Sequence, residues 1–449
     1  MIVRKLLVLV SVAQFLIALD YSIVYLALPA IAAGLRIAPA LVQWVISAYA
    51  VAFAGFLVVG GRLSDRLGPT RVFIGAIAVF GLASGAGAAA GNGAELVAAR
   101  GVQGLGSALL QPAVLSIIGT RFPSGAARSR VLAVWAAVGA GGLATGALLG
   151  GLLTTVSWRL TLLVNVPPAL LCALAAAAWL KPGERAAAAV TRIPVLAAAL
   201  GTGAIITVAL CLTLGGDQGW TGEATLSLGL LAVILGVLFV RNEARSSSRL
   251  IEPALRRDRS VRLGAAAAAL YMASVGSEFY VLTLLLQTNR HYPALRAGLA
   301  FLPLAVMVTV GSAAAGRALR RVSAEPVLAA GFVTALAGLA WLAVDVRGSY
   351  LGGLLPGLVL SGLGHGAIYT AAFVIGGREA GDVQQGTVGA LLTTVQYLAG
   401  TITLAALTVL IGPSHPYAGF TSAFVFLAAA AGAGALLCLR AVPAAQGLR

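Results

Sequence analysis

Charged residues are scarce in this chain. Only 10% of its 449 positions carry Asp, Glu, Lys or Arg, against about 25% in a typical soluble domain. Lysine is nearly missing: Lys5 and Lys181 are the only two, and every other basic residue is arginine. Cysteine is confined to Cys172, Cys211 and Cys438, each alone in an apolar run, so neither a disulfide framework nor a cysteine metal site is written here. No polar loop is rich in His, Asp or Glu and no nucleophile–base constellation appears, which argues against a membrane-embedded enzyme. The longest polar break, residues 241–262, leaves no room for a soluble domain. A formal net charge of +16 would suggest a nucleic-acid partner in a soluble protein. Here the charges sit in short loops, and no such partner is expected.

Apolar length is what the chain has in abundance. About fourteen apolar runs recur between residues 6 and 439, each near the ~20 residues that cross a bilayer as a helix. They predict an all-α polytopic membrane protein in contact with lipid. The first run, residues 6–30, follows Met1-Ile2-Val3-Arg4-Lys5 and imitates a signal peptide, with Ala30-Ile31-Ala32 as a cleavage-like site. It is too long for a signal core and contains Asp20, so it is read as a retained first helix. Twenty-four of the 30 basic residues fall on one set of loops. The opposite loops hold only Arg36, Arg159, Arg290, Arg296 and Arg347, an asymmetry that places both termini in the cytoplasm. Arginine in place of lysine, with abundant Ala and Gly, suggests a GC-rich bacterial genome and hence a bacterial cytoplasmic membrane.

Two runs near the middle, 193–214 and 224–240, separate six before from six after. The expected organisation is a six-helix bundle over residues 1–180, two extra central helices with flanking loops over 181–250, and a second six-helix bundle over 251–449. Gly61-Arg62-Leu63-Ser64-Asp65-Arg66 after the second run has a faint echo in Gly316-Arg317-Ala318-Leu319-Arg320-Arg321. Transporters built from such repeats hold their substrate near mid-membrane between the halves.

Asp20 lies deep in the first run, where a carboxylate costs several kcal/mol unless paired, hydrated or protonated. It is either a proton-carrying site or a structural carboxylate paired to a neighbouring helix. Arg100, Gln103, Gly104, Ser107 and Gln111 follow an i, i+3, i+4, i+7, i+11 spacing that puts them on one face of a fourth helix. Arg100 and Asp20 fall in the same half of the membrane and are able to pair. Glu278 is the only carboxylate deep within a span of the later half, on a face shared with Tyr271 and Ser274. His365 lines up with Ser361 and Tyr369 in the twelfth run, and Gln396 belongs to a polar stripe in the thirteenth. Candidate proton-coupling residues are therefore Asp20, Arg100 and Glu278. Candidate cavity residues are Gln14, Tyr21, Tyr25, Gln103, Ser107, Gln111, Tyr271, Ser274, His365, Tyr369 and Gln396.

The stretch from Gly61 to Arg71 reads as a loop joining the second and third helices. Gly61 permits close helix approach and Gly68 a turn with positive φ. Asp65 is suited to accept from a helix N-terminus, with Arg66 and Arg71 able to pair across the loop. Together these five residues form a candidate conformational latch. In the fifth run Gly142, Gly146, Gly150 and Gly151 make a flat stripe for close helix packing.

The Gly61–Arg71 stretch resembles the signature loop of the major facilitator superfamily, Gly-x-Leu-Ala-Asp-Arg-x-Gly-Arg-Lys-x. It keeps Gly61, Leu63, Asp65, Arg66 and Gly68 and departs at Ser64, Pro69 and Thr70. The stretch from Leu19 to Pro29 resembles the first-helix motif of the fourteen-span drug:proton antiporters, with Tyr25 where Asn is usual. Arg100-Gly101-Val102-Gln103-Gly104-Leu105-Gly106 is similar to that family's Arg-x-x-Gln-Gly-x-Gly motif. Residues 142–151 resemble its Gly-x-x-x-Gly-Pro-x-x-Gly-Gly motif, with Ala147 replacing Pro. Trp158-Arg159 and Asn165-Val166-Pro167 also fit the pattern. The resemblance implies a major facilitator fold of two six-helix bundles plus two extra central helices. It implies proton-coupled export of amphipathic small molecules, drug or natural product, by alternating access, with Arg100 taking part in proton transfer. No cofactor or metal is expected; the proton gradient supplies the energy, and the transporter is expected to work as a monomer. An importer or facilitator on the same scaffold stays open as the alternative.

Overall fold

In hydrocarbon every backbone N–H and C=O must find a partner within the protein, and a helix supplies those partners from its own segment. The apolar runs accordingly become helices. The structure is a computed structural model that describes residues 2–37, 39–122, 126–180, 195–246, 255, 257–378, 385–412 and 417–441. Lys181, Arg185, Arg192, Arg249, Arg256 and Arg449, which count towards the basic asymmetry, lie outside the described residues.

Among the described residues there is no strand. The first six helical segments are α1 (Ile2–Leu35), α2 (Pro39–Leu67), α3 (Pro69–Ala89), α4 (Gly93–Arg121), α5 (Ala126–Thr154) and α6 (Arg159–Trp179). Two more follow, α7 (Val195–Gln218) and α8 (Glu223–Arg245). The last six are α9 (Arg259–Asn289), α10 (Leu295–Ala318), α11 (Ala324–Val344), α12 (Tyr350–Gly376), α13 (Gln385–Ile411) and α14 (Tyr417–Ala441). Thirteen are long and apolar enough to cross a membrane, while in α7 the apolar stretch is the shorter Leu196–Leu212. The chain is a multi-pass membrane protein.

Helix ends are set by local chemistry. Asn92 caps α4 by accepting from the Glu95 amide at 3.0 Å, and Glu95 reaches back to the Gly91 amide at 2.7 Å. Asp258 caps α9 by accepting from the Ser260 and Val261 amides. The Ser260 hydroxyl, together with those amides, holds its carboxyl below the usual carboxylate range.

The two sets of six helices pair in the same way. In the first, α1 packs on α5, α2 on α4, α3 on α4 and α3 on α6. In the later set α9 packs on α13, α10 on α12, α11 on α12 and α11 on α14. The contacts between sets are also reciprocal: the fifth helix of the first meets the second of the later (α5 on α10), and α2 meets α13. The architecture is a major facilitator fold, two six-helix bundles related by a pseudo-two-fold, with α7 and α8 added between them. Helix α7 docks on α2 and α13, and α8 docks on α7. Leu226, Leu230, Val233 and Val240 of α8 are exposed, a surface suited to lipid.

The start of α1, the α2–α3 turn, the end of α4 and the start of α5 lie at one end of the helices, called the basic face below. There the two sets share a core: Phe373, Val388 and Leu392 of the later set join the cluster built on Phe53, Phe73, Phe80 and Trp135.

Candidate functional site

A carboxylate buried on α1 needs partners from its neighbours, and α4 and α6 provide them. Asp20 is fully buried. Its Oδ2 lies 2.7 Å from Arg100 Nη1 of α4, and its Oδ1 accepts from Gln103 Nε2 and from Asn165 Nδ2, each at 2.9 Å. Arg100 is held in turn: Nη1 also donates to Gln103 Oε1 at 2.7 Å, Nε donates to the Val45 carbonyl at 3.1 Å, and the guanidinium lies 4.5 Å over the Tyr49 ring. Removing one member of such a pair leaves an uncompensated buried charge, so the cluster stands or falls together. Asn165 is outside the sequence-derived site residues. It falls where α6 is interrupted between Leu163 and Val166, a break marked by the following Pro167 and Pro168.

Two adjoining cavities lie between the bundles. The central one, about 110 Å³, is lined by Gln14, Tyr21, Gln111, Tyr271, His365, Tyr369 and Gln396, with Phe279 and Phe301 as apolar wall. The Tyr271 hydroxyl and His365 Nε2 are hydrogen-bonded. Gln14 Oε1, Gln111 Oε1, His365 Nδ1 and Gln396 Oε1 make no hydrogen bond within the protein, so four helices turn polar groups with spare capacity toward this space. The second cavity, about 380 Å³, lies farther from the basic face and is within the ~300–1,000 Å³ of typical ligand sites. Tyr21, Tyr25, Tyr49, Tyr280 and Tyr397 surround it, Arg100 forms part of its wall, and Leu212 of α7 covers one side. Towards the basic face the way is shut by Trp135 of α5, stacked 5.7 Å from Tyr369 and edge-on to Phe373 of α12.

Three expected cavity residues stand back from both spaces. Gln103 is taken up by Asp20 and Arg100, and Ser107 accepts from the Tyr49 hydroxyl at 2.8 Å. Ser274 turns back to the Leu270 and Tyr271 carbonyls. Glu278 lines neither cavity and accepts from Ser361 inside the later bundle. The shared face with Tyr271 assumed an unbroken helix. In fact Met272–Gly276 forms a wide turn with i→i+5 hydrogen bonding, which shifts every later side chain around the axis.

Comparison with known proteins agrees with this geometry. The family model of the Major Facilitator Superfamily matches residues 10–404. The chain belongs to the major facilitator superfamily. Among related superfamily proteins, the cephamycin export protein CmcT of Amycolatopsis lactamdurans is 37% identical over 94% of this chain and 89% of its own. The puromycin resistance protein pur8 of Streptomyces alboniger is 34% identical over 92% and 82%. Among solved structures, the human organic anion transporter MFSD10 superposes with a TM-score of 0.69 at 17% identity, covering 97% of this chain and 99% of that one. The proton:xylose symporter XylE gives 0.68 at 13%, covering 98% and 96%. These two show the fold.

The superfamily's signature stretch is more helical than expected. Helix α2 continues through Gly61, Asp65 and Arg66 to Leu67, and only Gly68, at φ 87°, lies between it and α3. Pro69 lacks an amide to continue the ladder and sits at the first position of α3, so the turn needs one residue where a loop was read. Arg66 and Arg71 are exposed at the basic face. The glycine stripe of α5 runs along α1: Gly142 faces the Phe15 carbonyl, Gly146 faces Leu19 and Ser22, and Gly150 faces the Ile23 carbonyl. Gly151 is buried beside it. Ala147, where the related motif has proline, is fully buried, and its carbonyl meets Gly298 of α10.

Proposed function

We propose that this chain is a proton-coupled exporter of amphipathic small molecules, and the observation that carries the reading is the buried Asp20–Arg100 pair, whose arginine forms part of the wall of a polar-aromatic cavity. Export as the direction is supported by the names of the relatives, which include an antibiotic export protein and an antibiotic resistance protein. Drug:proton exchange is supported by the motif resemblance of residues 100–106 and 142–151. The cavities offer tyrosine hydroxyls, carboxamides and ring faces, a lining suited to broad, weakly polar aromatic molecules.

The proton acts at Asp20. Its carboxylate, ionised, holds Arg100 of α4 and accepts from Asn165 of α6; protonated, it loses its charge and its grip on the guanidinium. The two bundles then rock about the α5–α10 and α2–α13 contacts, with α7 and α8 riding between them. Asp65, Arg66 and Arg71 with Gly61 and Gly68 form the latch at the basic face, and the Gly142–Gly151 stripe keeps α5 sliding against α1. The basic asymmetry supports a cytoplasmic assignment for that face and both termini, in a bacterial cytoplasmic membrane. The energy source is the proton gradient, without a cofactor.

Inside-out vesicles with an acidic lumen test the reading directly. They are expected to accumulate a fluorescent aromatic compound, and to lose that accumulation when the gradient is collapsed. Uptake that ignores the gradient, or runs only down the compound's own gradient, would show a facilitator instead.

A further inference from the structure

We propose that Glu278 is a second proton-carrying site, and that the short helical segment Ser277–Thr283 is a cavity wall whose position that proton controls. The proposal deepens the exporter reading and rests on it for the meaning of the movement.

The pseudo-two-fold makes Glu278 the counterpart of Asp20. Each lies on the first helix of its bundle and takes a hydrogen bond from the fourth, Gln103 to Asp20 and Ser361 to Glu278. Among the described residues the arginine has no counterpart at this carboxylate. One turn before Ser361 stands Gly357, where even a Cβ would lie 2.5 Å from Leu342 Cγ. Glu278 is fully buried, accepts from Ser361 Oγ at 2.8 Å through Oε1, and has no partner at Oε2. Titratable groups on the surrounding helices include Tyr350, His365 and Tyr369 of α12, Tyr397 of α13, Tyr417 and Cys438 of α14, and Tyr271 and Tyr280 of α9 itself, with Arg259 and Arg262 at the start of α9; among the described residues only Ser361 hydrogen-bonds to it. Glu325 of α11 is at the basic end, paired with Arg378. A charge with one hydrogen bond and no counter-ion is not tolerated in such a place, so the carboxyl carries its proton in this conformation.

The segment is built to move. Wide turns at Met272–Gly276 and Leu284–Asn289 flank it, and the first holds Ser274 at φ −114°, ψ −106°, outside the helical region. Such insertions locate bends in helices. One face of the segment presents Glu278 to the bundle interior. The other presents Ser277, Tyr280 and Thr283 to the larger cavity and Phe279 to the central one. When the proton leaves Glu278 for water, the carboxylate needs new donors, and turning between the two hinges brings it towards the wet cavity. The same rotation changes the walls that touch a substrate.

The test uses the full chain in lipid nanodiscs without substrate, with the proton as ligand. Infrared difference spectra across a pH step are expected to show a carboxylic-acid C=O band that Glu278→Gln removes and Asp20→Asn retains. The protection factors of the amides of residues 272–289, which remove the intrinsic base-catalysed rise of exchange with pH, are expected to fall with pH in the wild type, to stay flat in Glu278→Gln, and to respond again in Glu278→Asp. Retention of any Asp20 band in Glu278→Gln, with unchanged thermal unfolding, shows that the variant is folded. An unchanged carboxyl band in Glu278→Gln, or a pH response of the segment that persists in it, overturns the proposal. Failure of gradient-driven export in vesicles would refute the exporter reading alone and leaves this band untouched.

Discussion

Asn165 Nδ2 lies 2.9 Å from Asp20 Oδ1, so the interrupted α6 reaches into the ion-pair cluster that α1 and α4 build. The amide also donates to Ser84 of α3 at 3.3 Å, which makes it the link between that cluster and a fourth helix. Asn165→Leu is expected to cost about 1–3 kcal/mol, because a buried charge loses a donor, and to reduce gradient-driven transport. Thermal unfolding in detergent and vesicle uptake measure both. A variant with wild-type stability and transport would show that Gln103 and Arg100 suffice.

Asp20→Asn keeps the shape of the side chain and removes its charge and its titration. Proton-coupled efflux is expected to disappear while expression and thermal unfolding stay close to wild type. Full gradient-driven transport by this variant in proteoliposomes would falsify the role of Asp20 as the coupling carboxylate.

The α1–α5 contact gives a matched pair of substitutions. A Cβ at Gly146 overlaps Ser22 Oγ and the Leu19 carbonyl, whereas a Cβ at Gly141 meets nothing within 4 Å. Gly146→Ala is expected to destabilise by about 1–3 kcal/mol through overpacking. Gly141→Ala is expected to be neutral or to stabilise by up to about 1 kcal/mol, the helix-propensity difference. Equal unfolding temperatures for the two would show that α1 and α5 yield freely along the glycine stripe.

How far the sequence carries this account depends on what each residue interacts with. Helices were legible because lipid demands apolar length, and the Asp20–Arg100 pair because buried charges must find each other. Glu278 was legible as a buried carboxylate and misplaced as to face, since the wide turn at Met272–Gly276 interrupts the period on which the face was counted. The Gly61–Arg71 stretch looked like a loop because it is polar, yet at the basic face polar residues sit comfortably on a helix end, and only Gly68 and Pro69 stop it. Tyr49, Tyr280 and Tyr397 had no signal at all: a tyrosine among apolar residues becomes a cavity wall only through the packing of distant helices.

Among the described residues the cavity walls contain no Asp, Glu or Lys, and Arg100 is the only permanently charged one that lines them. The oxygens of Asp20 are all engaged by Arg100, Gln103 and Asn165. A permanent cation would find no counter-charge there. In a matched pair of aromatic compounds, one neutral and one quaternised, the neutral one is expected to be transported at least about tenfold more efficiently, a difference of ~1.4 kcal/mol. Equal transport of both would place an acidic group in the pathway that this conformation does not present.

Arg100 is the charge that meets the Asp20 carboxylate in this structure. Without the guanidinium, Asp20 keeps only the neutral amides of Gln103 and Asn165, and burial then favours the protonated carboxyl. Arg100→Ala is therefore expected to lose coupled transport at neutral pH and to move residual activity to higher pH, where the proton can still leave. Arg100→Lys restores a positive charge but cannot reproduce a planar group that meets Asp20, Gln103 and the Val45 carbonyl together, so partial rescue is expected. The measurement is the pH profile of gradient-driven uptake for wild type and both variants. A midpoint that does not move in Arg100→Ala would mean that the arginine serves packing or substrate and leaves the proton to other groups.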